Sequence, residues 1–85
     1  MTVKELIKEL KKCDPKAQVI LQKDSEGNGF SPLFDVDGDC IYVPDSTWSG
    51  DVYDASWDAE DAGMEEFDWK ETLKAPRCVV LGPVN

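Results

Sequence analysis

Leu33-Phe34-Asp35-Val36-Asp37-Gly38-Asp39-Cys40-Ile41-Tyr42-Val43, residues 33–43, is the stretch that decides the fold class. Two β-like runs, Leu33–Val36 and Cys40–Val43, flank Asp37-Gly38. An Asp-Gly pair between such runs is a strong hairpin signal, because a type I′ turn needs positive φ at both central residues. The pattern predicts an antiparallel hairpin turning at Asp37-Gly38. Pro32 and Pro44 then fall at strand ends or on an edge, where a missing N–H costs no ladder bond.

Upstream, residues 17–23 form another short β-like run, and 24–29 are dense in turn formers. The opening reads as a helix. Thr2 and Glu5 make a capping-box pattern. Val3, Leu6, Ile7, Leu10 and Cys13 recur at helical spacing, and Lys4, Glu5, Lys8, Glu9, Lys11 and Lys12 cover the other face. Asp14-Pro15 ends the helix, since the residue before proline avoids the α region.

Downstream, residues 45–57 read as a long polar loop with a short strand near Val52. Asp58–Lys74 favours helix, broken at Gly63. Met64, Phe67 and Leu73 lie on one side of it, and Glu66 and Lys70 form an i,i+4 pair. Pro76 stops it. Residues 77–81 read as a last strand, buried on both faces and therefore central in the sheet. The expectation is an α+β fold. An N-terminal helix packs on a small, mostly antiparallel three- to four-stranded sheet, and a second helical segment precedes the last strand. Residues 1–85 show no internal repeat and no linker, and read as a single acidic domain.

Composition excludes several functions. The net charge is −9. That argues against direct binding of nucleic acid or an anionic membrane, and favours a basic protein surface as partner. Histidine is absent, which removes the commonest general base, the usual triads and most zinc chemistry. There is no P-loop, no GxGxxG and no nucleophile elbow. No catalytic residue and no cofactor is assigned, and the chain does not read as an enzyme. Cys13, Cys40 and Cys78 include no CxxC pair. They read as buried reduced thiols, not as a disulfide framework or a zinc site. No apolar stretch is long enough to span a membrane and no signal peptide opens the chain, so the expected setting is cytoplasmic.

The charges are segregated. From Asp24 to Trp69 there are fourteen acidic residues and no Lys or Arg, while the segments on either side are net positive. A purely solvating acidic segment lacks aromatics. This one carries Trp48, Tyr53, Trp57, Phe67 and Trp69. Phe67 reads as core. Trp and Tyr are enriched at interface hot spots, and carboxylates beside them pair with Arg and Lys across a contact. The candidate partner-binding residues are Asp45, Trp48, Asp51, Tyr53, Asp54, Trp57, Asp58, Glu60, Asp61 and Glu65.

A calcium reading is weaker. Asp24, Glu26, Asn28, Gly29, Phe30 and Asp35 fall at EF-hand-like loop positions one, three, five, six, seven and twelve. The match is degenerate: position three is Glu, nine is Pro, twelve is Asp, and the flanks read as strands. No metal site is assigned, and Asp24, Glu26, Asn28 and Asp35 stand only as weak candidates.

The stretches TVKELIKELKKCDPKAQVILQKDSEGNGFSPL, YVPDSTWSGDVYD and RCVVLGPVN resemble a family of small acidic proteins of tailed bacteriophages and prophages. The resemblance covers nearly the whole chain and brings no catalytic motif with it. It implies a viral accessory protein acting inside a bacterial host cell. Together with the charge map it leads to an expected function in host takeover or anti-defence. An acidic-aromatic surface would dock on the basic groove of a host nucleic-acid-handling or defence protein, imitating DNA. The alternatives are a divalent-cation or small-ligand module around residues 24–39, and a structural protein that self-assembles as a homo-oligomer.

Overall fold

Thr2 caps the first helix as its sequence requires. Its hydroxyl accepts from the Glu5 N–H at 3.2 Å, and the Glu5 carboxylate accepts in return from the Thr2 N–H. The computed structural model describes residues 1–84. Along the chain run α1 Val3–Leu10, β1 Ile20–Gln22, β2 Phe30–Pro44, β3 Gly50–Asp54, α2 Ala59–Ala62, α3 Glu66–Thr72 and β4 Arg77–Pro83. The architecture is α+β, with an N-terminal helix, a mostly antiparallel four-stranded sheet and short helices before the last strand. β2 pairs with each of the other three strands.

The sheet is joined differently from the sequence expectation. β2 does not turn at Asp37-Gly38 but runs through it as one strand of 15 residues. Among the described residues the positive-φ glycines are Gly27 and Gly63, so Gly38 makes no type I′ turn. The Asp37 carboxylate instead accepts from the Asp39 N–H at 3.1 Å. An extended backbone wins here because both ends of β2 have ladder partners. Residues 30–32 pair with β1 and 40–44 pair with β3, both antiparallel.

The hairpins therefore close at 23–29 and 45–49. The second loop is held by N–H groups of Asp45 and Ser46, which both donate to the Ser49 carbonyl, at 3.0 and 3.2 Å. Gly50, which follows it, has no room for a side chain. A Cβ there would lie 2.5 Å from the Val43 carbonyl oxygen and 2.8 Å from Pro44 Cα.

β4 also departs from expectation. Its residues alternate between exposed and half-buried instead of being buried on both faces. β2, with three partners, holds the central place that the composition of β4 suggested.

The chain divides into two units, with the boundary falling inside β2 and inside β4. The first holds Met1–Asp35 and the residues from Leu81 onward. Among the described residues its one buried residue is Ser31, 1 % exposed. The Ser31 hydroxyl accepts from the Val84 N–H at 2.9 Å and donates to the Pro32 carbonyl at 3.0 Å. α1 contains no buried residue. It ends at Leu10, a turn before Asp14-Pro15, so Cys13 lies past the helix and is exposed instead of extending the apolar stripe.

The second unit, Val36–Val80, has the apolar core. Ile41, Ala59 and Trp69 are buried together, with Tyr53, Met64 and Leu73 packed against them. Ile41 and Tyr53 are register partners on β2 and β3, which puts both on the same face. α2 opens on a capping box between Asp58 and Asp61 and closes on Gly63 at φ +70°. That left-handed position ends the helix as the sequence predicted. The Trp69 indole N–H donates to the Trp57 carbonyl at 3.0 Å, so the buried ring keeps its polar atom paired.

Candidate functional site

The candidate partner-binding residues all belong to the second unit, and its elements sort them. The 45–49 loop carries Asp45 and Trp48. Trp48 is 87 % exposed, with a large apolar ring at a loop tip and no core to fill. β3 carries Asp51, Tyr53 and Asp54. Asp58 caps α2, which presents Glu60 and Asp61, and Glu65 precedes α3.

Several of the ten do structural work instead of standing free. Tyr53 is half-buried against the core and meets the Trp57 and Trp69 rings edge-on, at centroid distances of 6.5 and 6.1 Å. Asp54 is half-buried, and its carboxylate accepts from the Ser56 hydroxyl at 2.7 Å and the Ser56 N–H at 2.8 Å. The Ser56 hydroxyl, followed by its N–H, holds the Asp54 carboxyl below its ordinary pKa. Asp58 and Asp61 are exposed but tied to each other's backbone at the start of α2.

Asp45, Asp51, Glu60 and Glu65 are exposed. Among the described residues, none of their side chains has a hydrogen bond or ion pair. The ion pairs in the described residues are Glu9–Lys12 at 3.2 Å, Glu71–Lys74 at 2.9 Å and Asp39–Arg77 at 3.5 Å. Glu66 and Lys70, paired in the sequence reading, are not among them. Lys74 on Glu71 is the pair formed at that end of α3.

Phe67 was missed. It is 73 % exposed on α3, not in the core. Trp69 takes the inward position at 3 % exposure. Residues two apart on a helix point about 200° apart, so the one turned inward sends the other out. Phe67, flanked by Glu66 and Asp68, joins Trp48 as an exposed aromatic in an acidic stretch.

No family model, curated protein or solved structure matches the chain. The site is therefore read from its own chemistry.

The loop considered for calcium is organised by its own backbone. One Asp24 carboxylate oxygen accepts from the N–H groups of Glu26 at 2.9 Å and Asn28 at 3.0 Å. The Asn28 N–H is the main cause holding the Asp24 carboxyl below its usual pKa. The Asn28 amide donates to Glu26 at 3.3 Å. Asp35 lies in β2, where a Cβ at Gly82 would come within 3.3 Å of its own Cβ. Among the described residues no group of three or more His, Cys, Asp or Glu is placed to hold a metal ion.

The cysteines separate by environment. Cys40 is buried in β2, and burial, with Asp37 next in effect, pushes its thiol up to about 11. Such a thiol stays protonated and is a poor nucleophile. Cys78 is half-buried and Cys13 exposed, and all three are free thiols. No helix among the described residues is long and apolar enough to cross a membrane.

Proposed function

We propose that this protein binds a basic protein surface through the exposed acids and aromatics of residues 45–68. The fitting target is a basic groove that otherwise holds nucleic acid, as on a host nuclease or defence complex of a phage-infected cell. The observation that carries the reading is the pairing of opposites in one segment. Trp48 and Phe67 are exposed large apolar rings, and Asp45, Asp51, Glu60 and Glu65 in the same segment are in no ion pair among the described residues. Unpaired carboxylates steer a cationic partner over long range, and desolvated aromatics hold it at short range.

The test begins with capture from nuclease-treated bacterial lysate, and continues with titration of the purified captured protein against the wild type and Trp48→Ala. Affinity is expected to fall as salt rises. The substitution should weaken binding by about 2 kcal/mol or more, the size of an interface hot spot. It should leave the melting temperature unchanged, because the ring packs on no core. An affinity indifferent to both salt and Trp48 would overturn the reading.

A further inference from the structure

We propose that α1 is a docking face for a second copy of this chain, whose acidic-aromatic segment sits against the apolar stripe and lysine flank of the helix. The inference rests on the reading of residues 45–68 as a docking surface and adds a second use for it.

An eight-residue helix is marginal in water unless it packs an apolar face. α1 has such a face and leaves it largely open. Val3, Ile7 and Leu10 are 54 %, 47 % and 48 % exposed, although the spacing puts all three on one side. The unit that contains α1 buries no hydrophobic residue at all among those described. Lys4, Lys8 and Lys11 follow the stripe along one flank, where the surface forms a shallow cleft with Val3, Ile7 and one carboxylate, Glu5, against the three ammonium groups. None of these three lysines is in an ion pair among the described residues.

The complement to an apolar strip edged by free ammonium groups is a set of apolar rings edged by free carboxylates. Residues 45–68 supply that chemistry on every copy of the chain. An anionic membrane or nucleic acid would match the lysines but meet a molecule of net charge −9. The contact joins two different patches, so it is heterologous, and each copy offers one of each.

Sedimentation of the full chain over a concentration series, at low and high salt, tests the inference. The wild type is expected to exceed monomer mass at low salt and to return to monomer as salt rises. Ile7→Glu and, as an exposed change that spares the apolar stripe, Lys8→Glu should each be monomeric with native circular dichroism. The double variant Trp48→Ala, Phe67→Ala should be monomeric too. Mixing Lys8→Glu with that double variant should restore a one-to-one dimer, because each retains the patch the other has lost. A wild type that is monomeric at every concentration overturns the inference. So does association that survives the variants, or a mixture that stays monomeric. A monomeric wild type that still captures a basic partner would leave the proposed function standing.

Discussion

Trp69 and Trp48 show what a single residue does in each of two settings. The Trp69 ring is buried, and its one polar atom is spent on the Trp57 carbonyl at 3.0 Å. Trp69→Phe keeps an aromatic but removes the donor and part of the volume. It should destabilise the protein by about 1–3 kcal/mol in chemical denaturation, from the lost hydrogen bond together with the space left by the smaller ring. The proposed role of Trp48 predicts the reverse profile, with affinity lost and stability kept. Sequence composition alone could not separate these two residues, since both are tryptophans among acids. Position on an element separates them, because a loop tip has no inward side and a helix has one.

At the scale of elements, the local signals were legible and the pairing was not. The capping box at Thr2 and Glu5, the break at Gly63 and the turn-rich 24–29 loop all form as the sequence implies, because each depends on residues within a few positions of one another. Asp37-Gly38 failed because a turn and an extended bend compete for the same dipeptide. Ladder bonds at its two ends, to β1 and to β3, decided the outcome. The true β2–β3 loop, Asp45-Ser46-Thr47-Trp48-Ser49, lacks an Asn-Gly or Asp-Gly signature and sits inside a longer polar stretch. Its real marker is Gly50. Gly50→Ala should cost about 1–3 kcal/mol, as an overpacked site does, because the added methyl meets backbone and has little room to yield. Gly38→Ala serves as the contrast, since nothing lies within 4 Å of a Cβ there. Comparison of the two melting temperatures checks the reassigned hairpin directly.

For the whole molecule, three perturbed groups contribute to how stability depends on pH. Asp24 and Asp54 have carboxyl pKa values lowered in the folded state. Their contribution is complete above the unfolded carboxylate value of about 4 and is lost as pH falls through the depressed folded values. Cys40 acts in the other direction. Its folded value of about 11 lies above its ordinary 9.0, so its contribution is complete below the ordinary value and disappears as pH rises toward the folded one. Thermal melts from neutral to alkaline pH should show stability falling across that interval. The difference between wild type and Cys40→Ala should shrink over the same range, since the variant has no thiol to ionise.

The Val84 N–H meets the Ser31 hydroxyl across 53 residues of chain. Such a contact closes a long loop of chain. Residues 36–80 are contiguous, and that unit can collapse on its own core as soon as it has been made. The other unit draws on residues from both sides of it in sequence, and so pays the larger loop-closure entropy. α1 and β1 precede the core unit in the chain, and the end of β4 that completes their own unit follows it. The unit that leaves the apolar stripe of α1 open is thus also the one assembled from two separate segments of chain, and of the two it has the larger entropy to offset.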